Sequence, residues 1–485
     1  MMLRHGLAYL AARGLPALLN FAALAIYTRL LAPEQFGIYA MVLAGLGIAH
    51  TAFLSWLDLG LLRFLAAYEV RRGTFLGTIL IAFLAMLALA GLASLLALWL
   101  TSDPLLDRLL PLGFLLFCVE GFAELHLRLA NAQLTPAVYG RMAITRALVA
   151  LAVGSALVVA GAGAEGILLG LAAGAVAAVV APTRRELGSL WSAWRQVATP
   201  VFDPAVLRHL FLYGAPLVVT LGLDVVLAGA DRFLLARVIG TDAAGVYAVG
   251  YQLTAYTLGT LLVIVNLAGY PLAVKAFETG GLAAAEPYLR QNALLLWGIG
   301  LPAACGMGLL APNITAVVTG SAFAADAALV MPVLVLAALL QRCRTYYFDF
   351  AFQLRAKVAW QALISAATVI LNIGLNLLLI PRFGILGAAW ATVAACGLGL
   401  ALSIVIGRRV LALPLIWGEA LRVCLATTVM LTALWPLREL SGLLALVLQI
   451  VLGGLAYAAA LWLLDVGGLR AGAGRLLARQ PAGHT

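Results

Sequence analysis

Apolar runs separated by short polar breaks fill this chain from one end to the other. They fall at 7–31, 37–62, 74–100, 109–129, 138–160, 165–182, 210–238, 245–270, 289–318, 327–354, 358–380, 384–407, 415–436 and 441–465. A hydrocarbon core of about 30 Å takes about 20 apolar residues of α-helix to cross. The pattern therefore predicts an all-α, polytopic integral membrane protein with about fourteen transmembrane helices. The first run follows Arg4 but is too long for a secretory signal, and it is read as a retained first helix. The longest polar link is 183–209, where Leu187, Leu190, Trp191 and Trp194 keep helical spacing beside Arg184, Arg185 and Arg195. That spacing predicts a helix lying in the membrane interface.

The runs repeat. Arg29 to Tyr39 (RLLAPEQFGIY) returns as Arg237 to Tyr247 (RVIGTDAAGVY), with Arg, Gly and Tyr in register. At nearly the same offset, Gly60 to Glu69 matches Gly269 to Glu278, and Arg13 to Pro16 matches Tyr213 to Pro216. The chain thus reads as an N-lobe over 1–182, a linker over 183–209 and a C-lobe over 210–407. Two further helices follow over 408–465, and a tail over 466–485. Each copy holds six helices, an even number, so both have one orientation and form parallel repeats about an axis along the membrane normal. Pro33 with Gly37, and Gly240 with Gly245, are expected in tight outer turns, with Tyr39 and Tyr247 at the headgroup boundary.

Charge orients the spans. Hydrophobic residues make up 64% of the chain and charged residues 10%, with a net charge of +10. Globular chains are about a quarter charged, so no soluble domain is expected. Of the 30 Lys and Arg residues, only Arg29, Arg108, Arg237, Arg382 and Arg438 fall in the loops on one side. The positive-inside rule then puts both termini in the cytoplasm and accounts for the excess charge without nucleic acid. The five cysteines lie in apolar spans with no metal-ligand spacing. No nucleophile constellation, nucleotide loop or metal site is present, so neither an enzyme nor a bound cofactor is expected.

Three segments carry a resemblance: RLLAPEQFGIY, Asp231-Arg232 with Ala244 to Tyr247, and Ile380 to Ala389 (IPRFGILGAA). The chain resembles, over nearly its whole length, the polysaccharide transporters of the multidrug/oligosaccharidyl-lipid/polysaccharide superfamily, and most closely the O-antigen and exopolysaccharide flippases. The resemblance implies two six-helix lobes around a central cavity in the bacterial inner membrane. It also implies transfer of undecaprenyl-pyrophosphate-linked oligosaccharide by alternating access, with polysaccharide polymerase or export proteins as partners beside the lipid-linked substrate and membrane lipid. Multidrug antiport, the activity of a sister family, and a membrane glycan polymerase are the alternatives. The outer loops are too short for the catalytic loop of such a polymerase.

A charge at mid-bilayer costs about 2.5 kcal/mol or more, which singles out a few residues. Arg342, Arg344, Thr345, Tyr346 and Asp349 are the candidates for substrate binding, with Arg342, Thr345 and Asp349 on one helical face. A guanidinium suits a pyrophosphate because its fork makes two charge-assisted hydrogen bonds; an Arg342–Asp349 brace is the other reading. Glu120, Glu124, Asp58 and Asp224 are candidates for coupling to an H⁺ or Na⁺ gradient. Pairing of Glu120 and Glu124 with Arg128 and a further arginine, and packing of His50, are the structural readings.

Overall fold

The computed structural model describes residues 2–100, 104–133, 135–182, 201–468 and 470. Among them there are helices and no strands. The helices are α1 (Met2–Leu30), α2 (Pro33–Phe53), α3 (Ser55–Phe64), α4 (Arg72–Leu100), α5 (Pro104–Ala132), α6 (Pro136–Val159), α7 (Gly163–Val180) and α8 (Pro204–Val238). They continue as α9 (Thr241–Thr254), α10 (Thr260–Leu309), α11 (Ala311–Val318), α12 (Ser321–Cys343), α13 (Phe350–Leu354), α14 (Val358–Val410), α15 (Trp417–Leu434) and α16 (Leu443–Leu463). The interfacial helix expected at Leu187–Trp194, and nearly all of the tail, lie outside the described residues.

Eleven helical runs among the described residues are long and apolar enough to cross a membrane. Two of them, Thr241–Leu309 and Val358–Val410, are long enough for two passes each, and the Gly14–Leu30 part of α1 is apolar too. The fourteen expected spans are thereby accounted for. Inside α10 the break falls at Gly280 and Gly281, the latter with φ 67, and inside α14 at Gly384 with φ 60. Only a glycine reverses the chain there without a Cβ penalty. The span expected over 37–62 is also broken, at Leu54, between α2 and α3. There the Trp56 indole N–H donates to the Phe53 carbonyl at 2.9 Å and partly replaces the helix bonding that is lost.

The chain divides into two compact units, Met1–Gly245 and Val246–Thr485. In the first, Phe75, Leu76, Ile79, Phe83, Phe117 and Leu125 form a core around the α2–α3 break. Since lipid tails are as apolar as leucine, helix pairing in a membrane depends on close fit and small residues. A Cβ on Gly170 would lie 2.5 Å from the Gly154 Cα, and one on Gly174 would lie 2.5 Å from the Arg146 carbonyl oxygen. These glycines press α7 onto α6 and fix the height of Arg146. α8 closes the unit from the other side, with Gly214 on the Trp56 backbone and Gly229 on Ala44.

The repeated motifs turn the chain between α1 and α2, where Pro33 opens α2, and between α8 and α9, where Gly240 has φ 149, but their second glycines do something else. Gly37 and Gly245 lie inside α2 and α9, one turn from their starts, rather than in the turns expected of them. A Cβ on Gly37 would overlap the Thr241 carbonyl, and one on Gly245 would overlap the Pro33 carbonyl. Equivalent positions of the two copies therefore meet backbone to backbone. Tyr39 and Tyr247 are buried, at 8% and 0% exposure, so their rings pack against protein.

Candidate functional site

Two clusters of charged residues sit in the spans, one in each unit. In the first unit, α5 presents Glu120, Glu124 and Arg128 one turn apart, and α6 presents Arg146 to them. Arg146 forms ion pairs with Glu120 and, at 3.4 Å, with Glu124, which also binds Arg128 at 2.8 Å. At the end of α2, His50 Nε2 lies 2.9 Å from the Asp58 carboxylate across the Leu54 break. Glu120 is within electrostatic reach of His50. The structure thus brings Asp58, Glu120 and Glu124 into one neighbourhood, with three carboxylates facing two guanidiniums and one imidazole. Asp224 is half-buried on α8. Its neighbours Gly222 and Val225 pack on Thr51 and Gly47 of α2, level with His50.

In the second unit a π-turn, Arg344–Phe348, follows α12. The Asp349 N–H donates to the Arg344 carbonyl at 2.9 Å, five residues back. The wider turn overrides the expected helical face of Arg342, Thr345 and Asp349, and pairs Arg344 with Asp349 instead. Arg344 Nε lies 3.4 Å from Asp349 Oδ2, with the side chains 1% and 0% exposed. Arg344 also donates to Ser365 Oγ at 2.5 Å and Thr368 Oγ1 at 3.4 Å, and Ser403 donates to Asp349 Oδ1 at 2.7 Å. Gly399 makes room, since a Cβ there would stand 2.9 Å from Arg344 Nη1. The pair therefore ties the π-turn to both limbs of α14.

Arg342 and Tyr346 turn the other way. Both are half-buried, and Arg342 Nη1 donates to the Tyr346 hydroxyl at 3.0 Å. A second π-turn, Ala255–Gly259, lies beside them, with a Cβ on Gly259 falling 3.9 Å from Arg342 Nη2. Asn292 of α10 donates to the Tyr346 carbonyl at 2.9 Å, and Thr345 is half-buried in the same turn. π-Turns occur disproportionately at functional sites because they aim side chains that a regular helix would not. Here they separate a buried arginine, Arg344, from an accessible one, Arg342.

A family model described as "Polysaccharide biosynthesis protein" matches residues 26–328, well over half of the chain. This chain belongs to that family. No curated protein sequence matches it. Among solved structures, a lipid II flippase MurJ in an inward closed conformation shares the fold with a TM-score of 0.73 at 12% identity, over 94% of this chain and 98% of its own. An inward-facing multidrug resistance MATE family transporter of the MOP superfamily gives 0.57 at 15% identity, over 83% of this chain and 97% of its own. The polysaccharide family read from the motifs is thus borne out by the family match, and the fold is shared with these two transporters.

This polysaccharide biosynthesis family protein carries a third polar chain, which the sequence reading missed. Tyr247 and Thr392 hydroxyls lie 3.3 Å apart, Asn372 donates to Thr392 at 3.3 Å, and Asn376 donates to Asn372 at 3.1 Å. Two asparagines one turn apart in an apolar run were its only sequence signal. Among the described residues no group of His, Cys, Asp or Glu is arranged to hold a metal ion.

Proposed function

We propose that this protein moves an undecaprenyl-pyrophosphate-linked oligosaccharide across the bacterial inner membrane by alternating access, for O-antigen or exopolysaccharide synthesis, without chemical conversion of the substrate. The family match supports the glycan, and the fold shared with a lipid II flippase supports the lipid carrier. The observation that carries the reading is Arg342: a half-buried guanidinium in a membrane helix, held by one neutral hydroxyl and set between two π-turns. Such a group offers a pyrophosphate most of its hydrogen-bonding edge. Tyr346 and Thr345 then supply hydroxyls beside it, and Arg344 with Asp349 holds the turn that aims them. Both termini are cytoplasmic in this reading, as the arginine distribution requires.

The cluster of the first unit is the coupling site. With His50 neutral it has one negative charge in excess, and one proton on His50 or a carboxylate balances it. Desolvation in the membrane makes that balance matter. Proton uptake at one membrane face and release at the other then drives the cycle. Multidrug antiport is the less favoured reading, because the flippase fold covers 94% of the chain against 83% for the multidrug transporter.

The test is export of lipid-linked glycan by Arg342→Ala and Arg342→Lys variants at equal protein abundance. Export should fall at least tenfold in the first and partly recover in the second. Normal export by Arg342→Ala would remove the proposed pyrophosphate contact.

A further inference from the structure

A cleft in the first unit is unrelated to either charged cluster. Its walls are Met41 to Phe53 of α2, Ala90 to Ala97 of α4, Leu109 to Phe117 of α5 and Phe233 to Arg237 of α8, and its volume is about 500 Å³. Small side chains, among them Gly45, Ala49, Ala93, Gly113 and Ala236, leave this space. A Cβ on Gly113 would meet nothing nearer than Val42 at 4.0 Å. α4 and α8 are tied at their other ends, where the Asp203 N–H donates to Thr78 Oγ1 at 3.1 Å. The wall is apolar except at Arg237 and Thr241, since the Ser94 hydroxyl is turned back onto the Ala90 carbonyl at 2.9 Å.

We infer that this cleft binds one membrane phospholipid with an anionic headgroup, one of its two acyl chains between α4 and α8 and its phosphate on Arg237. Three observations select that occupant. The first is depth: at 1.5 Å per residue, the α4 and α5 walls span roughly 10–12 Å, close to the roughly 15 Å of one leaflet's hydrocarbon. The second is volume. A methylene is similar in size to a water molecule, which takes about 30 Å³, so the cleft holds roughly 16 carbons. That is one acyl chain, and much less than a polyprenyl tail. The third is charge. Arg237 stands at the mouth of the cleft, exposed and without an ion pair or side-chain hydrogen bond among the described residues. Its repeat counterpart Arg29 instead donates to the Ala25 carbonyl of its own helix at 2.7 Å. The second copy of the motif has thus kept the arginine and released it from the helix, at headgroup height above an apolar slot. The bound lipid fills the gap between α4 and α8 where they are not tied.

Native mass spectrometry of the full-length protein in detergent tests this. The protein is incubated with phosphatidylglycerol, phosphatidylethanolamine or undecaprenyl phosphate. One phosphatidylglycerol should be retained in preference to phosphatidylethanolamine. Ala93→Phe, which fills the cleft from α4, should cut that retention at least tenfold, and Gly113→Leu, which fills it from α5, should do the same independently. Arg237→Gln should remove the preference between the two phospholipids while leaving some retention. Unchanged retention in both cleft-filling variants, or a preference that survives Arg237→Gln, would overturn the inference. So would displacement of the phospholipid by undecaprenyl phosphate, which would assign the cleft to the substrate's tail.

Discussion

Replacing Arg344 by methionine separates a brace from a ligand. The arginine and Asp349 are 1% and 0% exposed, so neither charge reaches water when its partner is gone. Arg344→Met leaves the carboxylate without its guanidinium, while the Ser403 hydroxyl still donates to it at 2.7 Å. Breaking one side of a buried pair costs about 3–5 kcal/mol. Asp349→Leu should cost a similar amount, because the guanidinium would keep only the Ser365 and Thr368 hydroxyls. The double variant removes both charges, and replacing a whole buried pair with apolar groups is often neutral or better. It should therefore recover most of the loss, giving a coupling energy of about 2 kcal/mol or more in a double-mutant cycle. Unfolding of the purified protein in mixed micelles of increasing SDS fraction measures all four states. If Arg344→Met is as stable as the parent while export is lost, the pair is no brace, and Arg344 meets the substrate itself.

Other variants probe the remaining elements. Gly37→Val and Gly245→Val each force a side chain onto a backbone carbonyl and should destabilise by about 1–3 kcal/mol. Gly397→Ala, with nothing within 4 Å of its Cβ, should leave the unfolding midpoint unchanged. Arg146→Met strips Glu120 of its ion pair and should lower both thermal stability and proton uptake in proteoliposomes carrying a pH dye. Glu120→Gln should spare stability and abolish uptake alone. At the start of α8, the Ala205 N–H, the Val206 N–H and Arg71 hold the Asp203 carboxyl below its ordinary range. A lowered carboxyl pKa adds stability above the unfolded value and loses it as pH falls through the folded one. The melting temperature should therefore fall with acidification below about pH 4, and less steeply in Asp203→Ala than in the parent.

The spans were legible because a membrane helix is written in composition alone. Gly37 and Gly245 were legible as a repeat and misread as turn residues. A hydropathy pattern does not show that Gly37 of one copy meets Thr241 of the other. The pairing of Arg146 with Glu120 and Glu124 depends on how tightly α7 presses α6, through Gly170 and Gly174, and small residues look alike whether or not they pack. Arg342 and Arg344 stood out in the sequence for their cost in a membrane. Their opposite fates depend on one π-turn, which adds a residue to the helical period and leaves no mark in the residue types. The Leu54 break was hidden for the same reason: no glycine or proline signals it, and it appears only where Trp56 folds back on Phe53.

Whether this protein flips a lipid-linked oligosaccharide is read from the sidedness of that lipid in a strain lacking the protein, and in that strain carrying Arg342→Ala. Undecaprenyl-linked oligosaccharide should accumulate on the cytoplasmic leaflet in both, with surface glycan lost. Normal surface glycan in the deletion strain, with altered resistance to drugs, would contradict it.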